Sequence, residues 1–124
     1  MSHASFATIK AEETTFYSKF TITADFKSMW NPPKKIGYSQ NNTTIPVTFN
    51  TNSNVSIPKF WSDPKGLTLL YDEVISGYTS FCGTICDGRI FLKTEKGPIT
   101  IKGPIHGSPS EGQTFVGSGT WVQG

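Results

Sequence analysis

Phe16-Tyr17-Ser18-Lys19-Phe20-Thr21-Ile22-Thr23-Ala24-Asp25-Phe26 decides the fold. Phe16, Ser18, Phe20, Ile22, Ala24 and Phe26 fall on alternate positions, with Tyr17, Lys19, Thr21, Thr23 and Asp25 between them. A period of two sends successive side chains to opposite faces, so the spacing predicts a long strand with one face on a core and the other in water. Upstream, Phe6 to Ala11 reads as a shorter strand closed by Glu12-Glu13. Downstream, Ile45, Val47, Phe49, Val55 and Ile57 share odd positions, which predicts two strands around an Asn-rich turn at Thr51 to Asn54.

Turn chemistry extends the pattern. Asp63-Pro64-Lys65-Gly66 carries favoured type I residues at three positions and predicts a hairpin joining Val55–Phe60 to Leu67–Val74. A helix competes for this segment, with Asp63 as cap, Pro64 at the first turn, Leu67, Leu70, Tyr71 and Val74 on one face, and Gly77 closing it. The β-branched Thr68, Val74 and Ile75 favour a strand, as does the placement of Asp72-Glu73 at the wrong end for a helix dipole. Asp87-Gly88 fits a type I′ turn between strands 79–86 and 89–94. Glu95-Lys96-Gly97 then turns the chain into Pro98–Lys102, completing a meander. Gly103–Gly112 reads as a loop and Thr114–Val122 as the last strand. On it Phe115, Gly117, Gly119 and Trp121 share a face, where rings covering the glycines are favoured over an open groove. Lys96-Gly97-Pro98-Ile99 recurs as Lys102-Gly103-Pro104-Ile105, two turns flanking one strand and too few copies for a solenoid.

Eight or nine short strands in 124 residues predict an all-β, single-domain antiparallel β-sandwich or jelly roll over residues 1–124, with a closed β-barrel as the alternative. Only 16% of residues are charged, while Ser and Thr number 29, which excludes a coiled coil or long-helix protein. The net charge is +2 and the only adjacent basic pair is Lys34-Lys35, so no nucleic-acid partner is predicted. No stretch approaches the roughly 18 apolar residues of a membrane-spanning helix. Met1 to Ser5 shows neither a basic start nor an apolar run, so the expected location is cytoplasmic or reached by non-classical secretion. Sequons at Asn41, Asn42 and Asn54 read as polar loops.

Cys82 and Cys86, four apart on a strand, would lie about 13 Å from each other, beyond disulfide reach. They are expected as free thiols, one in the core and one beside a turn. With His3 and His106 remote in sequence, no zinc site and no cofactor are predicted. Gly117-Ser118-Gly119 is too short for a nucleophile elbow, Asp72 and Glu73 point to opposite faces, and no triad or phosphate loop is present. A non-enzymatic role is therefore expected.

The remaining signal is aromatic. Trp30-Asn31-Pro32-Pro33-Lys34 and Trp61-Ser62-Asp63-Pro64-Lys65 each set a tryptophan before a proline-stiffened polar turn, and Tyr38 and Asn41 extend the first segment. Such rings either plug the ends of the core or stack on a ring-shaped ligand whose rim the polar neighbours hydrogen-bond. The functional expectation is a lectin-like, carbohydrate-binding module using Trp30, Asn31, Tyr38, Asn41, Trp61 and Asp63. Its alternatives are a structural or virion-type assembly subunit, homo-oligomeric through flat Thr-rich faces, and a barrel enclosing a small apolar ligand among its phenylalanines.

Overall fold

A computed structural model describes residues 3–27, 44–72, 77–96, 98–107 and 112–123. Trp30, Asn31, Tyr38 and Asn41 lie outside the described residues, as do the Lys34-Lys35 pair and the Asn41 and Asn42 sequons. Nine strands are present: β1 (His3–Glu13), β2 (Ser18–Lys27), β3 (Thr44–Ser53), β4 (Phe60–Trp61), β5 (Leu67–Tyr71), β6 (Gly77–Cys86), β7 (Arg89–Thr94), β8 (Thr100–Pro104) and β9 (Gln113–Gln123). None of the described residues is helical, and no described helix is long and apolar enough to cross a membrane.

The strands run β1-β2-β3-β9-β6-β7-β8-β5 and return to β1, every pairing antiparallel, as a closed eight-stranded barrel. The closed barrel, held as the alternative in the sequence reading, is thus the architecture found, in place of the sandwich or jelly roll. Two stacked sheets would leave free edges, whereas β1 here pairs with β2 on one side and β5 on the other, so the ring has no edge to protect.

Alternation holds in β2 from Ser18 to Phe26, whose even positions are all buried. Phe16 departs from the pattern: it is 82% exposed, because Thr14 closes a turn before the strand, its N–H donating to the Tyr17 carbonyl (2.9 Å) and its Oγ1 accepting from Tyr17 N–H (3.1 Å). The expected turn at Thr51–Asn54 also moves. β3 continues to Ser53 because buried hydroxyls keep the chain engaged: Thr51 Oγ1 donates to Ser118 O and Ser53 Oγ to Val55 O at 2.6 Å. Beyond Asn54 only Phe60 of the anticipated Val55–Phe60 strand lies in a strand, the two-residue β4 that it forms with Trp61. The intervening loop is fastened by Ser18, whose buried hydroxyl accepts from Ile57 N–H (2.6 Å) and donates to Ile57 O (3.1 Å).

The strand reading of the segment after Gly66 holds from Leu67 to Tyr71, with Val74 and Ile75 outside the described residues, and the hairpin reading before it does not. β4 and β5 pair with the same edge of β1 and not with each other. Between Lys10↔Trp61 and Ala7↔Leu67, β1 advances three residues while its partner advances six. The two pieces therefore form one interrupted strand that throws out a three-residue loop. The loop turns at Asp63–Gly66, with Gly66 N–H donating to Asp63 O at 2.9 Å. Lys65 has φ 57°, which makes this a type II turn and not the expected type I. The two types differ by a flip of the central peptide, and here that peptide's N–H, on Lys65, is held by Thr8 Oγ1 at 2.8 Å.

The Asp87-Gly88 hairpin forms as its residues dictate, with φ of 52° and 73° and Cys86 opposite Arg89. Along the bore Phe20 meets Phe60 (5.5 Å), Phe81 (6.2 Å) and Phe115 (5.1 Å), and toward one end Phe49 stacks on Trp121 at 4.5 Å. Glycines make room for these rings. Gly83 lies opposite Phe115 and Gly117 opposite Phe81, and a Cβ on either would sit 2.5 Å from Phe115 Cζ or 2.7 Å from Phe81 Cζ. The gap beside Trp121 is thus filled by packing, as expected. Cys82 and Cys86 are free thiols and both exposed, so neither takes the anticipated core position: even-numbered residues of β6 point outward.

Candidate functional site

The looped-out Asp63-Pro64-Lys65 leaves a notch on the barrel's outer wall, and Trp61 stands beside it. Trp61 is 43% exposed, a wall residue and not a plug. On one side its backbone faces Lys10 of β1. On the other it exchanges two hydrogen bonds with His106, Trp61 N–H to His106 O at 3.1 Å and His106 N–H to Trp61 O at 2.7 Å. That bridge lays the imidazole near the indole, ring centroids 6.1 Å apart at 36°. Gly107 follows with φ +78°, and a Cβ there would come within 2.8 Å of both Trp61 Cζ3 and Lys59 O. Glycine at this position lets the chain pass flat against the indole.

The rim is polar. Asp63, carried outward by the loop, places Oδ1 2.9 Å from His106 Nε2, an ion pair whenever the imidazole is protonated. A depression of about 360 Å³ is lined by Thr8, Ile9, Lys10, Lys59, Trp61 and Ser62. Its floor is anchored by Ser62, whose N–H donates to Ile9 O and whose Oγ accepts from Ile9 N–H, each at 2.9 Å. Lys10 Nζ lies 3.9 Å from Glu12, and the Lys59 ammonium forms no salt bridge among the described residues. The arrangement offers one flat apolar face ringed by a carboxylate, an imidazole, two ammonium groups and a hydroxyl. No cluster of three His, Cys, Asp or Glu side chains fit to hold a metal occurs among the described residues.

Of the six residues singled out from sequence, Trp61 and Asp63 meet at this notch, and the other four lie outside the described residues. His106, Gly107, Lys59 and Lys10 were missed. His106 comes from a segment read as loop and reaches Asp63 across 43 residues, through a register no local pattern announces. The only local hint is the glycine after it.

Fold and notch together define a closed antiparallel β-barrel bearing an aromatic shelf on its outer wall. No protein family, curated protein or solved structure matches the chain, so the shelf's own chemistry is the ground for a functional reading.

Proposed function

We propose that the protein is a non-enzymatic binding module that takes a carbohydrate on the Trp61 shelf. The carrying observation is the half-exposed indole backed by Gly107 and rimmed by Asp63, His106 and Lys59. A pyranose ring has an apolar face of C–H groups and a rim of hydroxyls. An indole takes the first by stacking, and carboxylate, imidazole and ammonium groups take the second by hydrogen bonding. The barrel's own phenylalanines pack on one another, so support for a binding role lies on the wall and not in the bore.

A glycan array, followed by tryptophan-fluorescence titration of any hit, tests this reading. Trp61→Ala should weaken binding by about tenfold or more, the equivalent of roughly 1.4 kcal/mol, while leaving the denaturation midpoint near that of the parent. Asp63→Asn should weaken it less. An empty array, or a Trp61→Ala protein that binds normally, refutes the shelf.

A further inference from the structure

The eleven basic residues look scattered along the sequence, but barrel register gathers three of them. β5, β6, β7 and β8 are consecutive in the chain and contain no Asp or Glu. Their cationic residues are Arg89, Lys93 and Lys102, all exposed and none in an ion pair among the described residues. Arg89 and Lys93 flank Phe91 at alternate positions of β7, so all three project from the outer face. Lys102 lies directly opposite Phe91 on β8. The same row continues through Thr68 of β5 to Phe6 of β1. Phe91 is 48% and Phe6 57% exposed, although each is large enough to be drawn into a core. Carboxylates stand at the row's margins: Asp87 in the hairpin, Glu95 beyond β7, held by Ser80 Oγ, Asp72 after β5, and Glu12 and Glu13 at the end of β1.

From this juxtaposition we propose that the outer face of β7, β8, β5 and β1 binds single-stranded nucleic acid. A strand laid across the barrel along this row meets, in turn, a phenyl ring, an ammonium group, a hydroxyl and a second phenyl ring about 14 Å from the first, three strand spacings away. Arg89 and Lys93 stand to either side of Phe91. Unpaired bases stack on aromatic faces whatever their identity, and the cations track the phosphates. The row from Phe91 through Lys102 and Thr68 to Phe6, with Arg89 and Lys93 beside it, is complementary in charge to a polyanion: it carries three cations in no ion pair among the described residues and no acid, Glu12 and Glu13 lying six and seven residues beyond Phe6 on β1. A membrane surface fits less well, since insertion needs contiguous rings and these two are separated by Lys102 and Thr68. The site shares no residue with the Trp61 shelf.

Fluorescence anisotropy with a labelled oligothymidine at varied salt is the test, with an unlabelled duplex competitor and phosphatidylcholine/phosphatidylserine vesicles as comparisons. Three neutralised phosphates give a slope of log K against log salt of about −2, at roughly −0.7 each. Lys102→Ala should make the slope shallower by about 0.7. Phe91→Ala should cost about tenfold in affinity without altering the slope, and Phe91→Tyr should restore it. Trp61→Ala should change nothing. Both substituted side chains, Phe91 and Lys102, are exposed, and circular dichroism checks that each variant folds. Absence of binding at low salt, affinity indifferent to Phe91→Ala, preference for the duplex, or vesicle binding without oligonucleotide binding would each overturn the proposal.

Discussion

At Asp87 and Gly88 the backbone is left-handed at two successive residues, the requirement of a type I′ turn. A Cβ added to Gly88 meets nothing closer than Ile105 O at 4.0 Å, so space is not at issue there and the cost of a substitution is purely conformational. Gly88→Val should therefore destabilise the protein by roughly 1–3 kcal/mol, and Gly88→Asn by less, because Asn visits the left-handed region readily. Urea denaturation of the two variants beside the parent reads the difference. Equal stability of all three would mean that the turn does not set the register in which Ile90 and Leu92 face inward.

At the scale of an element, the informative piece is the interrupted strand of β4 and β5. An uninterrupted strand would give Ile9 a backbone partner on both N–H and carbonyl. Where three residues leave the ladder, the Ser62 side chain supplies the missing acceptor to Ile9 N–H, while Ser62 N–H still donates to Ile9 O. Ser62 is buried, so Ser62→Ala strands a buried donor. We expect a loss of roughly 1–3 kcal/mol with Ser62→Thr retaining part of it, measured by thermal unfolding. Amide exchange at Ile9 should rise selectively in Ser62→Ala; unchanged protection there would show that the hydroxyl is not its partner. The same device recurs at Ser18, Ser53, Thr79 and Thr94, each buried and each bonded to backbone where a strand ends. Part of the Ser and Thr content that reads as a binding surface is structural.

For the molecule as a whole, stability depends on closing the ring around an aromatic bore. The β3–β9 seam is the tightest place: a Cβ on Gly117 would stand 2.3 Å from Asn52 O of β3 and 2.7 Å from the Phe81 ring. One contact is backbone and the other a packed core ring, so neither yields cheaply. Gly117→Ala should cost at least about 2 kcal/mol by overpacking, seen as a lower denaturation midpoint. A midpoint matching the parent's would show that the seam has slack. A pair of sheets could slide apart to admit the methyl group. A closed ring distributes the displacement through every strand.

The sequence by itself determined the all-β class, the alternation of β2, the Asp87-Gly88 hairpin, the meander of β6 to β8 and the covering of strand glycines by rings. These rest on contacts between near neighbours, on side-chain period and on backbone preferences that each residue carries with it. It also marked Trp61 and Asp63. Only the tertiary structure decided that the strands close into a barrel, since closure is a pairing of β1 with both β2 and β5 and amphipathic alternation is the same in a sandwich. It alone joined β4 and β5 into one strand on β1, sent Cys82 and Cys86 to the surface, and brought His106 to Asp63 and Lys102 to Phe91. Those meetings depend on register between segments far apart in the chain, and register is fixed by the sum of all the pairings and not by any one stretch.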